Sequence, residues 1–287
     1  IIGGGGDEIL ADEGDRLVPG DEDDIFEPCT TGSEPCYPQV VTDAKGKQVP
    51  IVTTPGNYRY VGQLQVTFDR KGNVLSWDEE DSGIKVVTDT GPGRVGLDRF
   101  QLRKVQEPVA AFIEDLANTI VGSTEVVLDC ERSEVRTMET NCGNLIADGL
   151  LTAGQQLAPS LGLDTPQIGF VNGGGIRGEI DQPAGPISVA DTFRLQPFGN
   201  LVAIAEDVPG ETLRQIVEEG AIALPDGDPD GGFVQVSEGT TLVIDPSFQP
   251  RVADQNTGVQ DTPGERVRTL ILADGTVVVE DGVTQDV

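Results

Sequence analysis

The feature that most restricts the fold of this chain is a run of three glycines, Gly173–Gly175, at the end of an apolar segment. The segment Gln167–Val171 is short, apolar and followed by turn residues, which predicts a buried strand. Glycine allows the backbone to approach a ligand closely and to adopt positive φ without strain. Asn172 before the glycines and Arg177 after them add a carboxamide and a permanent positive charge. The sequence therefore predicts a strand that ends in a tight turn able to accept a ligand.

A second turn, Pro197–Asn200, places Phe198 between turn-forming residues and ends in Asn200. It is followed by Leu201–Ala205, an apolar run that predicts another strand. A glycine turn, a guanidinium, an aromatic ring and carboxamides together suit a nucleotide, because they can hold a phosphate and a base. A glycine cluster on its own is weak support, since glycines also form tight turns that bind nothing.

Length and charge exclude several functional classes. The chain has 287 residues, which is enough for one large core or two ordinary ones. Its net charge of −30 argues against a nucleic-acid polymer as a partner, because binding the phosphates needs a basic surface. No apolar stretch approaches the roughly 20 residues of a membrane span. The first residue is not Met and no signal peptide is recognisable, so we expect a processed or partial chain.

The four cysteines fall into two close pairs, Cys29 with Cys36 and Cys130 with Cys142. No CxxC motif occurs, and the chain lacks histidine, the commonest partner of cysteine at zinc sites. Two local disulfides in an oxidising compartment fit this pattern best. We therefore predict an extracellular or periplasmic protein, whose oligomeric state the sequence does not indicate.

The pattern and spacing across Asn172–Asn200 resemble the C-terminal domain of the 5′-nucleotidase family, which includes bacterial UDP-sugar hydrolases and 2′,3′-cyclic phosphodiesterases. The resemblance implies a mixed α/β (α+β) fold in three parts. Residues 1–90 would be remnant β-strands of a metallophosphatase sandwich, residues 91–121 a linker helix, and residues 122–287 the substrate-binding domain. That last domain would be incomplete, because the family continues to a Gly-Gly-Asp-Gly-aromatic motif. The ligand would be a nucleotide or a nucleotide sugar.

The same resemblance bears on catalysis through the first residues of the chain. In the family, the positions that match Gly5 and Asp7 carry ligands of a centre with two divalent metals. Gly5 has no donor side chain, so one ligand is absent, while Asp7 could still offer a carboxylate oxygen. We therefore predict no cofactor and no catalytic residue in this chain. It should be inactive on its own, even if the parent protein hydrolyses phosphoric esters.

Three arginines match phosphate-binding positions of the family. Arg132, Arg136 and Arg177 would converge on phosphate oxygens, where a rigid guanidinium fork suits bidentate contact. The alternative is that Arg132 and Arg136 only form surface ion pairs with Glu131 and Glu134.

Other residues match the family's contacts to the nucleoside. Phe198 would stack on one face of the base, and Gly175 would let the ligand approach the backbone. Asn172 and Asn200 would bind base and ribose groups. The family's second stacking ring and its ribose-binding aspartate are missing, which should weaken binding, since one base–aromatic contact contributes about 1–3 kcal/mol.

An acidic loop, Asp226–Gly231, matches the first half of a calcium-binding loop. The glutamate expected at the twelfth position is replaced by Ser237, and Glu238 stands one place late. A solvated acidic loop is therefore the main interpretation and calcium binding the alternative.

Periodicity and turn residues predict the remaining elements. The ends of the later predicted helices are set by a cap at Thr140 or Asn141 and by Pro209 and Pro225. Pro108, inside the first predicted helix, indicates a kink or a new helix start. The expected strands are Gln48–Thr54, Tyr60–Asp69, Val74–Trp77, Glu125–Asp129, Gly232–Ile244 and Glu265–Val279, the last with a hairpin turn at Asp274–Gly275; the expected helices are Asp98–Val121, one through Leu151, and Val208–Leu224.

The leading hypothesis is the substrate-binding part of a secreted 5′-nucleotidase-type phosphohydrolase. One alternative is a nucleotide-binding pseudoenzyme that has lost its metal site. Another is a structural extracellular module without a small ligand, in which the glycines serve turns alone.

Overall fold

The computed structural model describes residues 8–12, 14–22, 25–26, 29, 36–56, 58–88, 90–91, 94–178, 181–225, 229–253 and 260–287. The chain divides into two compact units, Ile1–Glu107 and Pro108–Val287. Helices and several small sheets alternate along it, which confirms the mixed α/β fold class.

Two antiparallel hairpins lie in the described part of the first unit. Strand β1 (Gln39–Thr42) pairs with β2 (Gln48–Ile51), and β3 (Tyr60–Phe68) pairs with β4 (Val74–Val86). Strand β4 is longer than predicted, because the polar run after Trp77 returns to pair with β3 after a shift in register. The core of this unit is formed by Ile9, Leu10, Ala11, Tyr37, Val52, Tyr60 and Ile84.

A helical segment lies within the predicted range Asp98–Val121. It starts with a turn at Arg99–Gln101, continues as a π-helix at Leu102–Gln106 and becomes helix α1 (Glu107–Asn118). Pro108 directly follows the π-helical stretch, and the chain stays helical across it from Arg99 to Asn118. No new helix therefore starts at the proline, and the irregularity lies in the π-helical turn before it.

Strand β5 (Ile120–Thr124) belongs to the second unit and pairs antiparallel with β7 (Gly185–Ser188). The prediction of a strand at Glu125–Asp129 is wrong, because β7 pairs with the residues before it. Within that range Leu128 forms only an isolated bridge, to Gln182.

Helix α2 (Asn141–Leu161) starts where the sequence predicts. The hydroxyl of Thr140 caps it by accepting a hydrogen bond from the amide of Gly143 at 3.0 Å. Gly162 ends the helix in the left-handed conformation, with φ of 71°.

The strand predicted before the glycines is present as β6 (Phe170–Asn172), and it pairs antiparallel with β8 (Val234–Val236). Helix α3 (Val189–Leu195) lies between them in sequence, and helix α4 (Gly210–Gly220) begins after Pro209, as predicted. The prediction of a strand at Leu201–Ala205 is wrong, since these residues join no ladder in the described part of the chain.

The late part of the chain forms a four-stranded antiparallel sheet of order β14-β13-β12-β9. The predicted turn at Asp274–Gly275 is confirmed, with Gly275 at φ of 87°. Two short strands, β10 and β11, form a separate pair. The bounds are β9 (Thr241–Ile244), β10 (Val252–Ala253), β11 (Gln260–Thr262), β12 (Val267–Ile271), β13 (Val277–Glu280) and β14 (Val283–Thr284).

The second unit has two clusters of buried side chains. One joins α2 to the residues around the glycine turn: Leu128, Cys130, Val135, Cys142, Ala147, Val171, Ile176 and Leu195. The other lies between α4 and the four-stranded sheet: Val217, Val234, Val267, Leu270, Leu272, Val278 and Val279.

Both predicted disulfides, Cys29–Cys36 and Cys130–Cys142, are confirmed. Across the residues that the structure describes, none of the helices has the length and apolar character needed to cross a bilayer.

Candidate functional site

Arg132 and Arg136 lie on one tight turn, residues 131–140, which we call the arginine turn. Backbone amides of Val135 and Met138 donate to carbonyls four residues earlier, at 3.0 Å each, so both arginines belong to a compact helical turn. The disulfide Cys130–Cys142 closes the chain immediately outside this turn. The turn is therefore fixed at both ends.

The glycine turn, Gly173–Gly175, is a short 3-10 helix that packs on the arginine turn. A Cβ atom at Gly173 would lie 2.2 Å from the carbonyl oxygen of Val135, and one at Gly174 would lie 2.9 Å from the backbone of Gly231. None of the three glycines has a positive φ. They are needed for close backbone packing and not for a left-handed conformation.

Arg177 lies close to the arginine turn because the chain after the glycines runs beside it. Glu131 forms a parallel bridge with Gly178, and a Cβ at Gly178 would lie 2.3 Å from the carbonyl oxygen of Cys130. The amide of Arg177 donates to the carbonyl of Leu195 at 2.9 Å. Backbone contacts on two sides thus hold this residue.

Arg132 and Arg177 both act electrostatically on Arg136. Burial lowers the pKa of Arg136, and the neighbouring charges of Arg132 and Arg177 lower it further, while Asp230 opposes the shift. Arg136 is only 7% exposed, and its buried Nε has no hydrogen-bond partner. The three guanidinium groups therefore form one region of concentrated positive charge.

Among the described residues, Asp230 acts on Arg136 electrostatically but not at ion-pair distance. Arg132, Arg136 and Arg177 form no ion pair within 4.0 Å there, and the alternative pairing with Glu131 and Glu134 is not seen. A cluster of cations with no described carboxylate at ion-pair distance is a suitable environment for a bound anion.

Phe198 and Arg177 form a cation–π contact, with the guanidinium carbon 5.0 Å from the ring centroid. Phe198 is 48% exposed, so its ring is not committed to the core. An aromatic face beside the arginines can accept a planar ligand group.

Asn172 and Asn200 line a neighbouring cavity of about 670 Å³, together with Phe170 and Gln196. The carboxamide of Asn172 donates to the carbonyl of Gly231 at 2.9 Å, so part of its hydrogen-bonding capacity is used within the chain. The structure thus groups the arginines with Phe198, and groups the two asparagines on an adjoining surface.

Sequence reasoning missed three residues of this region. Asp230, which faces Arg136 electrostatically, lies in the acidic loop that was interpreted as solvated. Gln196 donates to the carbonyl of Gly175 at 3.2 Å. Gln235 is buried inside β8, and its one signal in the sequence is a polar side chain within an apolar strand.

Metal ligands are not brought together in the described ranges. No group of three His, Cys, Asp or Glu side chains there could hold an ion. Gly5 and Asp7 lie outside the described residues, as do residues 226–228 of the acidic loop for which calcium binding was the alternative interpretation. In the remaining part of that loop, Asp230 accepts a hydrogen bond from the amide of Gly232 at 2.7 Å.

Comparison with known proteins gives a consistent result. A family model described as the 5′-nucleotidase C-terminal domain matches residues 120–283. The trifunctional nucleotide phosphoesterase protein YfkN of Bacillus subtilis is 34% identical over 183 residues, which are 62% of this chain and 11% of that protein. The 5′-nucleotidase of Rattus norvegicus is 30% identical over 225 residues, or 75% of this chain and 35% of that protein.

A solved structure shares the fold. A Staphylococcus aureus protein assigned as a 5′-nucleotidase, in complex with alpha-ketoglutarate, superposes with a TM-score of 0.52 at 13% identity, covering 87% of this chain and 43% of that one. The chain spans no more than about two fifths of the length of the curated relatives it matches.

Proposed function

Because the chain belongs to the 5′-nucleotidase family, we propose that it is the nucleotide-recognising part of a phosphohydrolase that acts in nucleotide breakdown. The ligand would be a nucleotide or a nucleotide sugar bound at Arg132, Arg136, Arg177 and Phe198. The family membership supports the chemical class of the ligand, and the geometry of the arginines supports the location of its phosphate.

One observation carries this proposal: three arginines share one region without described carboxylate partners, in a chain of net charge −30. Acidic residues outnumber basic ones 49 to 19, so clustered arginines would ordinarily acquire counterions from the chain. A phosphate would supply the missing negative charge and accept paired hydrogen bonds from the guanidinium forks.

The arginines would have different tasks. Arg136 is almost fully buried, so its position is fixed and its charge is poorly screened by water. Arg132 and Arg177 are exposed and can adjust to phosphates at different distances. Phe198 would stack on the base, and the adjoining surface with Asn172 and Asn200 would offer amide donors and acceptors to sugar or base.

Hydrolysis is not assigned to these residues. The family centre with two divalent metals needs a set of ligands that the described part of this chain does not assemble, and the chain has no histidine. The proposal for this chain is therefore recognition, and the phosphoryl chemistry is proposed only for the parent protein.

We also propose an extracellular or periplasmic location. The two disulfides support it, because such bonds persist in oxidising compartments.

Titration of the chain with ADP, inorganic pyrophosphate and adenosine tests the proposal. With one stacking ring, we expect ADP to bind with Kd of about millimolar to high micromolar, near −4 to −6 kcal/mol. Amide resonances of Asn172–Asn200 and of the arginine turn should shift in NMR spectra. If neither ADP nor pyrophosphate shifts any of them, the chain is better explained as a structural module. UDP-glucose in a parallel titration distinguishes a nucleotide from a nucleotide-sugar preference.

A further inference from the structure

We propose that Gln235 is a positioning residue for the phosphate-binding arginines, an inference that rests on the proposed function of this site. Gln235 lies in the middle of β8 and is 1% exposed. Its neighbours in the strand, Val234 and Val236, are apolar and also buried. A buried carboxamide among valines is retained only where its hydrogen bonds hold something in place.

All the hydrogen bonds of this carboxamide go to the arginine turn. Its Nε2 donates to the carbonyls of Val135 at 3.0 Å and Met138 at 2.7 Å, and its Oε1 accepts from the amide of Thr140 at 3.1 Å. The first of these carbonyls belongs to the residue directly before Arg136. Gln235 thus fixes the backbone from which the buried guanidinium extends.

The same residue is tied to the other half of the site through its backbone. Gln235 pairs with Val171 in the ladder of β6 and β8, and the glycine turn begins two residues after Val171. The carbonyl of Val135 also limits the space at Gly173. One residue therefore sets the distance between the arginine turn and the strand that leads to Arg177.

Space for this carboxamide is provided by a glycine in the first turn of α2. A Cβ atom at Gly143 would lie 2.3 Å from Oε1 of Gln235 and 2.4 Å from its Cγ and Cδ. Alanine is the better helix former, so a glycine here indicates that room for Gln235 outweighs helix propensity.

The test compares ligands that differ in phosphate, using the full chain. In Gln235→Met, a side chain of similar length makes none of the three hydrogen bonds. We expect Kd for ADP and for inorganic pyrophosphate to rise about tenfold, with adenosine changed by no more than about twofold. A loss confined to phosphate-bearing ligands is what displaced arginines would produce.

Glu218→Gln is the matched control for general destabilisation. Glu218 is 2% exposed and accepts hydrogen bonds from the amides of Arg266 and Val267 in the other core cluster. This variant should lower the unfolding midpoint and leave the ratio of the ADP and adenosine Kd values unchanged.

Gly143→Ala keeps the glutamine and displaces it, so it covers the case in which Gln235→Met does not fold. The same selective loss of ADP and pyrophosphate binding is expected. If either folded variant binds ADP with wild-type affinity, or loses ADP and adenosine binding equally, the role of Gln235 is overturned while the proposed function stands. A wild-type chain that binds neither ADP nor pyrophosphate would instead overturn the proposed function, and this inference with it.

Discussion

Arg136 combines two properties that rarely coexist in one side chain. It is 7% exposed, and no described carboxylate lies within ion-pair distance of it. A buried cation is unfavourable unless it is paired or hydrogen-bonded, and its neighbours Arg132 and Arg177 make the charged form less favourable still. At the scale of single residues, a buried charge with no carboxylate of the described residues at ion-pair distance is the strongest reason to expect an anionic ligand.

The first prediction separates the phosphate contact from the base contact. Arg177→Ala should weaken ADP binding by about tenfold or more, because a hydrogen bond to a charged group contributes about 1.5–3 kcal/mol. The affinity for adenosine should stay almost unchanged. Phe198→Ala should weaken both ligands, because both carry the base that stacks on the ring. Isothermal titration calorimetry measures both.

Arg70→Ala serves as the charge-matched control for that comparison. Arg70 is exposed in the turn between β3 and β4 of the first unit, and its removal changes the net charge by the same amount. If this variant weakens ADP as much as Arg177→Ala does, the effect is one of overall charge and not of a specific contact.

At the scale of elements, the site depends on short segments that are fixed at both ends. The arginine turn is enclosed by Cys130–Cys142, and the segment from β7 to the Phe198 turn contains helix α3. Neither segment is long enough to be stable alone, because helices shorter than about 12 residues are marginal in water. A disulfide and a helix cap supply the missing stability.

The second prediction concerns the disulfide. Replacing Cys130 and Cys142 by serine should lower the free energy of unfolding by about 2–3 kcal/mol, because the crosslink no longer restricts the unfolded chain. ADP binding should weaken more than adenosine binding, since both arginines of the turn lie inside the opened loop. Denaturant titration and calorimetry measure the two effects.

Replacing Cys29 and Cys36 by serine is the matched control, because this pair closes a short loop in the first unit. Stability should again fall, but ADP binding should not change. Equal effects of the two replacements on ADP binding would show that the arginine turn does not depend on its own disulfide.

The third prediction concerns the cap of α3. Ser188 and Asp191 form a capping box, in which the hydroxyl accepts from the amide of Asp191 at 3.2 Å and the carboxylate accepts from the amide of Ser188 at 2.8 Å. Ser188→Ala should destabilise the chain by about 1 kcal/mol. Ser160→Ala, which alters an exposed helical serine near the end of α2, should have almost no effect.

This effect should depend on pH. Burial raises the pKa of Asp191, but hydrogen bonds from Ser188 and the charge of Arg194 more than offset this and hold the pKa below its ordinary value. A carboxyl whose pKa is lowered by folding stabilises the fold at pH values above its pKa in the unfolded chain. This contribution is lost as the pH falls through its pKa in the folded chain. The difference between wild type and Ser188→Ala should therefore shrink below about pH 4. A difference that stays constant down to pH 2 would contradict the role of the carboxylate.

At the scale of the whole molecule, the candidate site lies within one of the two compact units. The second unit carries the arginine and glycine turns, while the described residues of both units assemble no set of metal ligands. Because the chain has a net charge of −30, most of its surface repels anions. The arginine cluster therefore has to provide the attraction for an anionic ligand locally.

The fourth prediction concerns metal-dependent hydrolysis. The purified chain, loaded with Mn²⁺, Co²⁺ or Zn²⁺, should not hydrolyse AMP or UDP-glucose above the background of a mock preparation. The reason is the lack of histidine and the glycine at position 5, where the resemblance expects a metal ligand. Turnover that is abolished by a chelator would contradict this prediction and would place a metal site in the chain.

The sequence by itself determined the features that have local causes. Thr140 caps α2, Pro209 precedes α4, Gly275 forms a hairpin turn, and each cysteine pairs with its near neighbour. The physical chemistry of each of these depends on residues a few positions apart. Arg177 and Phe198 stand out in the turn pattern as well, whereas Arg132 and Arg136 are assigned to the candidate site only through a family resemblance.

Only the tertiary structure decided which strands pair and which polar groups are buried. Glu125–Asp129 and Leu201–Ala205 have the composition of strands, yet a strand exists only where a partner offers matching hydrogen bonds. Strand β7 pairs with Ile120–Thr124 and therefore not with the residues that follow them. The hydrogen bonds between Gln235 and the arginine turn join residues 95 to 100 positions apart in the chain. Such contacts have no periodicity or local composition from which they could be predicted, because the folded chain alone brings their members together.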